Sequence, residues 1–286
     1  MREPVPQERA RMAASIPLDD DDLAWLNGYA AEVCDTFGLE FSAAENRLAR
    51  WKILLQRFTE AVDQVLKNGR GHFRAVDESH NELCVASAIL TDPKPRIVHL
   101  EYEPPLFACA KSIDFRATAE DGTILYVDVK TIRPAAKDRW DQYEKAHQEQ
   151  WLPGNVHVVL SKDWLGGELW HSMFAARGRM LEYTLELEAK IAEAKPNEDD
   201  TRFVMLFCGE GFHWHRSELE EFVSCYFRGR HRADDPFSQA ELKYMADKSL
   251  RFSRTVTSFA CMSRPQGMIR QRPIYWNVQP PRDWFA

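Results

Sequence analysis

Apolar residues in the first part of the chain recur at helical spacing. An acidic run at 19–22 opens one predicted helix, because aspartates suit a helix N-terminus, and Gly38 favours a helix end near residue 37. The sequence SAAE at 42–45 has the form of a capping box and begins a second, amphipathic helix that extends to Lys67. These patterns predict a helical hairpin over residues 18–70.

Beyond this hairpin the pattern changes to a shorter helix followed by strands. A second capping box, SHNE at 79–82, begins a helix that ends near Leu90, because Pro93 follows. The run 97–101 is rich in β-branched and apolar residues and is predicted to be a strand.

The strongest strand signal comes next. Two runs rich in β-branched and aromatic residues, Ile113–Ala119 and Ile124–Ile132, flank the short sequence EDG at 120–122. Two such runs around a Gly-containing linker are typical of a β-hairpin. Because side chains alternate along a strand, the length of the loop decides which side chains share a face.

Two loop lengths fit this hairpin. A two-residue loop would place Asp114 and Asp128 on opposite faces. A three-residue loop, with Gly122 in the left-handed conformation, pairs Ala119 with Thr123 and places the two aspartates directly across from each other, with Cβ atoms about 5 Å apart. We predict the three-residue loop.

A lysine completes this cluster, since Lys130 follows Asp128 by two positions and points to the same face. Like charges directly across a strand pair destabilise it, and a divalent cation between the carboxylates removes the repulsion. Hard cations such as Mg²⁺ bind one or two carboxylates with waters and substrate phosphates, and a neighbouring lysine can orient the attacking water. This arrangement suits metal-assisted hydrolysis of a phosphodiester. The alternative is a solvent-facing ion-pair cluster, which contributes little to stability.

Asp114, followed after thirteen residues by the sequence DVK at 128–130, resembles the signature of the PD-(D/E)xK nuclease superfamily, which has the restriction-endonuclease-like fold. That signature is an Asp on one strand and (D/E)xK on the next, within an αβββαβ core. The superfamily often adds a Glu on the preceding helix, and Glu82 matches that position. The resemblance covers roughly residues 76–161. It departs from the family at 112–113, where Ser-Ile stands in place of the name-giving proline.

The resemblance implies a site for Mg²⁺, with Mn²⁺ as the alternative ion. Asp114, Asp128 and the backbone carbonyl of Val129 would hold the ion, and Glu82 would add a ligand directly or through water. Lys130 would position the attacking water and offset the charge that develops on the phosphate. For Glu82 the alternative is a helix cap, since its carboxylate can reach back to the first residue of its capping box.

The segment after the hairpin carries further candidates. The polar stretch 137–151 is predicted to be the helix that follows the DxK strand, and Gln142 and Lys145 share one face of it. The resemblance implies a phosphate contact from such residues, whereas a solvated helix face is the favoured interpretation for this pair. The run 156–160 is predicted to be a buried parallel strand, which completes the αβββαβ order.

The C-terminal part of the chain is predicted to form, in order, a helix, a strand, a helix and two closing strands: 168–195, 202–208, 217–227, 256–261 and 274–278. A basic cluster of Arg228, Arg230 and Arg232 follows the second of these helices, beside Tyr226 and Phe227. This cluster could follow a phosphate backbone and stack a base, or it could complement the dipole of the helix end.

Composition and charge limit the classes of protein. At 286 residues the chain can bury a sizeable core, and its net charge of -7 argues mildly against a wide nucleic-acid surface. The charge is uneven, since residues 201–286 carry 13 Lys+Arg against 9 Asp+Glu. No apolar run approaches the length of a membrane span, and the N-terminus lacks the apolar core of a signal peptide. Six scattered cysteines without a CxxC pair indicate reduced thiols in a cytoplasmic protein.

The sequence as a whole predicts an α/β protein with a restriction-endonuclease-like αβββαβ core and a mixed sheet. A helical N-terminal extension is expected at 1–75, the core at 76–215 with a helical insertion at about 166–200, and a C-terminal α+β segment at 216–286. The expected function is metal-dependent hydrolysis of phosphodiester bonds in nucleic acid, with DNA favoured over RNA. The alternative is a catalytically inactive nuclease-fold protein that binds nucleic acid or partner proteins in a defence or mobile-element system. No membrane partner is expected, and no oligomeric state or partner protein is specified.

Overall fold

The computed structural model of the protein describes residues 18–69, 73–91, 96–104, 112–132, 177–194, 201–209, 216–229, 236–263 and 274–278. These residues form an α/β protein with both parallel and antiparallel strand pairs, so the predicted class and the mixed pairing are confirmed. They fall into two compact units. Unit 1 contains the described residues up to Thr131, together with 201–202, and unit 2 contains the others. The predicted boundaries near residues 75 and 215 do not coincide with this division and stay predictions.

The described part of unit 1 consists of three helices and four strands. The helices are α1 Asp20–Ala43, α2 Trp51–Asn68 and α3 Phe73–Thr91, and the strands are β1 Leu48–Ala49, β2 Ile97–Tyr102, β3 Phe115–Ala119 and β4 Ile124–Thr131. The strand order is β1-β2-β3-β4, with β1 parallel to β2 and the other neighbours antiparallel. Helix α3 packs against β2 and β4, and α1 and α2 pack against α3.

Helix α1 begins as predicted and ends later than predicted. Asp19 caps it, since its carboxylate accepts a hydrogen bond from the Asp22 N–H at 2.8 Å, and the Asp22 carboxylate accepts one from the Asp19 N–H. The prediction that Gly38 ends the helix is wrong, because α1 continues past it and buries Phe41 in the core. A Cβ at Gly38 would lie 3.8 Å from the Leu55 side chain of α2, so the two helices pack closely there.

Two predicted helix starts are also wrong. The capping box at 42–45 does not begin α2, which starts at Trp51; the Ser42 hydroxyl donates to a carbonyl three residues earlier at 3.0 Å. The capping box at 79–82 lies inside α3, where the Ser79 hydroxyl donates to a carbonyl four residues earlier at 2.7 Å. In both cases the serine bonds to the preceding turn, which is the other common use of its hydroxyl.

Helix α3 is the most buried helix of unit 1. Residues 79–86 are all buried, including four polar side chains in succession. His80 is surrounded by three aromatic rings of α1 and α2, and the Tyr29 hydroxyl bonds to its Nδ1. Asn81 donates to the Thr131 hydroxyl of β4 at 2.9 Å, which ties the helix to the sheet. Buried polar groups are tolerated when they have such partners.

The β3–β4 hairpin has the three-residue loop that we predicted. The Ala119 N–H donates to the Thr123 carbonyl at 2.9 Å, and the Gly122 N–H donates to the Ala119 carbonyl at 3.0 Å. Gly122 has a φ of 87°, in the left-handed region that glycine adopts without steric cost. The ladder extends from Thr118 opposite Ile124 to Phe115 opposite Val127, with no change of register.

The described part of unit 2 contains helices α4 Arg177–Ala194, α5 Arg216–Arg228 and α6 Pro236–Asp247, and strands β5 Thr201–Gly209, β6 Ser258–Ser263 and β7 Ile274–Val278. The first two residues of β5 belong to unit 1. Strand β5 is parallel to β6, and β6 is antiparallel to β7. The predicted helices at 168–195 and 217–227 and the predicted strands at 202–208 and 274–278 are confirmed over their described residues, whereas the strand predicted at 256–261 begins two residues later, at Ser258. Helix α6 was not predicted.

Charged side chains in the interior of unit 2 join its helices. Arg177 is 1% exposed and donates to both carboxylate oxygens of Glu241 at 2.9 Å, and to Glu221 at 3.2 Å. Glu188 of α4 accepts a hydrogen bond from the Tyr226 hydroxyl of α5 at 2.7 Å. A buried charge is costly unless it is paired, so these contacts specify how α4, α5 and α6 pack together.

Part of the predicted αβββαβ core lies outside the described residues, namely the predicted helix at 137–151 and the predicted strand at 156–160. Over the part that the structure describes, α3, β2, β3 and β4 follow one another in the predicted αβββ order. The restriction-endonuclease-like fold as a whole therefore stays a prediction.

The loop conformation leads to a test at Gly122. Because a side chain in the left-handed region costs about 1 kcal/mol and nothing lies within 4 Å of a Cβ built there, we expect Gly122→Ala to lower the free energy of unfolding by about that amount through the backbone alone. Urea unfolding measures the change. Gly28→Ala, in open space inside α1, is the matched control and should raise stability by about 0.5–1 kcal/mol. A neutral Gly122→Ala would contradict the left-handed turn.

Candidate functional site

The hairpin register brings Asp114 and Asp128 together at the open end of β3 and β4. Phe115 pairs with Val127 in the last step of the ladder, so the next residues in the same register are the two aspartates. Asp114 lies one residue before β3, and its Oδ2 accepts a hydrogen bond from the Val129 N–H at 2.6 Å. The predicted placement of the two carboxylates opposite each other is confirmed.

Lys130 lies on the same side as Asp128, as the alternation along β4 predicts. Asp128 is fully buried, and its Oδ2 is 2.9 Å from Nζ of Lys130. The lysine side chain is 23% exposed, so the pair is mostly shielded from water. The alternative of a solvent-facing ion-pair cluster is therefore wrong, since Asp128 is buried.

Glu82 enters the site from α3. Its side chain is buried, and its Oε2 accepts a hydrogen bond from the Tyr102 hydroxyl at 2.7 Å and lies 3.8 Å from Nη1 of Arg57. The helix-cap interpretation of Glu82 is wrong, because α3 begins at Phe73 and the residue lies well inside it. Because α3 begins earlier than predicted, the Glu82 carboxylate lies in the interior beside the sheet and not at a helix terminus.

The three carboxylates influence one another electrostatically. Burial, and then the nearby charges of Asp128 and Glu82, raise the pKa of Asp114, whereas Lys130 and the Val129 N–H lower it, and the net pKa is about 7. Burial also raises the pKa of Glu82, and the positive charge of Arg57 opposes that rise. The site is thus a partly buried region with more negative than positive charge, a state that favours either protons or an added cation.

Three residues of this region were not predicted, namely Arg57, Tyr102 and Glu103. Arg57 and Tyr102 contact Glu82, and Glu103 contacts Arg57. Arg57 of α2 donates through Nη1 to the Tyr102 hydroxyl at 2.6 Å and to Oε1 of Glu103 at 2.5 Å. In the sequence, Arg57 occupies a polar position of an amphipathic helix and Tyr102 ends a short strand, and neither position carries a motif. Only the packing of α2 against β2 brings them to the acidic cluster.

The carboxylate oxygens of this site are ligands of the kind that a hard metal ion binds. Asp114 and Asp128 supply two carboxylates, and a Mg²⁺ site in proteins commonly needs only one or two carboxylates besides waters and phosphates. Burial and the neighbouring carboxylates raise the pKa of Asp114, and both effects would be offset by a bound cation. Among the residues that the structure describes, no group of three or more His, Cys, Asp or Glu is arranged to hold a metal. The two aspartates therefore fit a hard cation, whereas Glu82 is engaged with Tyr102.

The other predicted contacts to nucleic acid are placed only in part. Gln142, Lys145, Arg230 and Arg232 lie outside the described residues. Arg228 is the last residue of α5 in unit 2, where a cation complements the helix dipole. This position agrees with the structural alternative for Arg228 and does not test the nucleic-acid interpretation.

Comparisons with known proteins add no assignment. No protein-family model, curated protein or solved structure matches the chain. Within the described ranges, no helix has the length and apolar character to cross a membrane.

The raised pKa of Asp114 predicts how stability changes with pH. Because the folded-state pKa of about 7 lies above the ordinary value of 3.8, the folded protein holds the proton more tightly, so the free energy of unfolding falls as the pH rises through this interval. Asp114→Asn removes the titration and keeps an oxygen that can accept the Val129 N–H. We expect the variant to lack this fall and to have a higher unfolding temperature than wild type at pH 8.

Circular dichroism melts between pH 4 and pH 8 measure this difference. Asp63→Asn, at an exposed position of α2, should follow the wild-type profile. Parallel profiles for wild type and Asp114→Asn would show that the Asp114 carboxyl is not held in the shielded environment described above.

Proposed function

We propose that unit 1 carries a Mg²⁺-dependent nuclease site that hydrolyses phosphodiester bonds of nucleic acid, with DNA favoured over RNA. The observation that carries the proposal is the placement of Asp114, Asp128 and Lys130 at the open end of one hairpin, with Glu82 supplied by α3. The αβββ order of the described core elements and the resemblance to PD-(D/E)xK nucleases support it.

Each side chain has a role that its surroundings favour. Asp114 and Asp128, with the backbone carbonyl of Val129, would hold Mg²⁺ or Mn²⁺. When bound, such an ion polarises the phosphate and lowers the pKa of a coordinated water. With its pKa near 7, Asp114 loses its proton readily at the pH of the cell once positive charge is added nearby.

Lys130 would hold the attacking water and offset negative charge on the phosphate. Its ammonium carries three N–H donors, lies 2.9 Å from Oδ2 of Asp128 and is 23% exposed, so the cation is fixed beside the carboxylates. A cation fixed in a shielded position stabilises developing charge more strongly than one in bulk water. Glu82, held by Tyr102, would act as an outer ligand through water.

A second function is favoured by one observation. In the described part of the chain no group of three metal-binding side chains is present. Asp128 is paired with the Lys130 side chain, and Glu82 accepts a hydrogen bond from Tyr102. A nuclease-fold protein that binds nucleic acid without cleaving it, alone or with partner chains in a defence or mobile-element system, would have such a closed arrangement. The two functions differ in their response to EDTA, which abolishes cleavage and leaves metal-independent binding intact.

Cleavage assays test the assignment of the reacting groups. Asp128→Ala and Lys130→Ala should each lower Mg²⁺-dependent cleavage of DNA by about 100-fold or more, because Asp128 would hold the ion and Lys130 would stabilise negative charge at the phosphate. Asp63→Ala and Lys67→Ala, both at exposed positions of α2, are matched controls and should retain activity. Undiminished cleavage by Asp128→Ala or Lys130→Ala would refute these roles. Single-stranded DNA, duplex DNA and RNA should be compared in the same assay.

Metal binding can be tested without turnover. We expect Mn²⁺ or Mg²⁺ to raise the unfolding temperature of wild type, since a ligand at 100 times its dissociation constant stabilises the folded state by about 2.7 kcal/mol. The increase should be absent in Asp114→Asn and Asp128→Asn and present in Asp63→Asn. An equal increase in all four proteins would indicate that the ion binds elsewhere.

A further inference from the structure

Arg57 contacts the buried acidic side chains and is itself partly exposed at the surface of unit 1. It lies 3.8 Å from the Glu82 carboxylate and donates to the Tyr102 hydroxyl, and both of these neighbours are buried. The side chain of Arg57 itself is 49% exposed. Solvent, and any ligand that approaches from solvent, can therefore contact the guanidinium while its base is held against the site.

Among the described residues, the partners of this guanidinium contact only one of its three nitrogens, Nη1. The contacts to Tyr102, Glu103 and Glu82 all use Nη1. A guanidinium has five N–H donors, so Nη2 and Nε retain three that none of the described residues engages. Two adjacent donors in one plane match two oxygens of a phosphate, the geometry in which arginine binds phosphates most strongly.

The excess of carboxylates in this region makes a cation necessary for phosphate binding. Glu82, Asp114 and Asp128 surround the site, Glu103 adds a fourth carboxylate at its edge, and Lys130 is paired with Asp128. A phosphodiester that approaches these carboxylates is repelled unless a cation meets it. Desolvation lowers the pKa of Arg57, but its acidic neighbours outweigh that effect and raise it, so the side chain stays charged at every relevant pH.

Arg57 is also held in place by a strained residue. Glu103, its partner, has a φ of 45°, which costs a non-glycine residue about 1 kcal/mol. The Glu103 N–H donates to the Asp114 carbonyl at 2.8 Å, and Nη1 of Arg50 donates to the Glu103 carbonyl. The residue that orients Arg57 is thereby bonded to the backbone of Asp114, so the guanidinium and the hairpin are held in one fixed relation.

We propose that Arg57 is a phosphate-binding residue of this site, so that helix α2 supplies part of the contact to a nucleic-acid backbone. The inference rests on the proposed function and assigns a role to the N-terminal helices within it. The competing role for Arg57 is that of a counter-ion for Glu82 and Glu103 alone. A counter-ion affects folding stability, whereas a phosphate contact affects affinity and its dependence on salt.

The test compares Arg57→Gln and Arg57→Lys with Arg96→Gln. Arg96 is a matched control, because its side chain is 70% exposed and pairs with a carboxylate, Glu120, at 3.3 Å in the same unit. Affinity for fluorescein-labelled single-stranded and duplex DNA is measured by anisotropy with EDTA present, over a range of salt concentrations. Cleavage with Mg²⁺ is measured on the same DNA to separate KM from kcat, and unfolding temperatures are recorded for each variant.

We expect Arg57→Gln to weaken DNA binding about tenfold, the effect of losing one charge-assisted hydrogen-bonded contact. The slope of log K against log salt should become less negative by about 0.9 for duplex DNA, which corresponds to one phosphate contact. Arg57→Lys should be intermediate, because an ammonium keeps the charge and loses the paired donors. In cleavage, KM should rise more than kcat falls, and Arg96→Gln should match wild type.

The outcomes separate the two proposals. If wild type binds or cleaves DNA and Arg57→Gln has the affinity and salt slope of Arg96→Gln, the inference about Arg57 is overturned and the proposed function stands. If wild type neither binds nor cleaves DNA or RNA, both are overturned. If Arg57→Gln is unstable, Arg57→Lys decides, since it retains a cation for the two glutamates; an unchanged affinity in that folded variant would refute paired phosphate binding.

Discussion

The conformation of one turn controls the chemistry of unit 1. A loop of three residues, closed by a glycine with a φ of 87°, sets the register of β3 against β4. That register places Asp114 across from Asp128, whereas a loop shorter by one residue would turn the two carboxylates to opposite faces. Because Lys130 follows on the same strand, the length of this loop determines whether Asp114 meets the other two charged groups.

Opposed carboxylates survive in the interior only because each has a partner. Asp114 accepts the Val129 N–H, Asp128 pairs with Lys130, and Glu82 accepts the Tyr102 hydroxyl. Burial and the charges of Asp128 and Glu82 still raise the pKa of Asp114. A region in this state has two ways to lower its energy, which are to bind a proton or to bind a cation, and the same property makes it a candidate site for phosphate chemistry.

The N-terminal helices do more than cover the sheet. Helix α3 lies against the strands with a buried polar run, and α2 extends an arginine over the end of β2 to the edge of the acidic cluster. Unit 2 uses its buried charges differently. Its Arg177 and Glu241 are fully enclosed and satisfy each other with two hydrogen bonds, an arrangement that specifies packing and leaves no group exposed to a ligand.

Local chemistry was sufficient for what depends on neighbours in sequence. The alternation around the EDG loop at 120–122 predicted the hairpin, its register and the shared face of Asp114, Asp128 and Lys130, because strand periodicity and a glycine turn are short-range properties. Helix boundaries near the two capping boxes were predicted wrongly, since burial of apolar residues in the core outweighed the preference of a serine for a cap. The tertiary structure alone decided that Glu82 faces the sheet and that Arg57 and Tyr102 join it, because these contacts connect residues 20 to 45 positions apart, and no local pattern encodes a contact of that range.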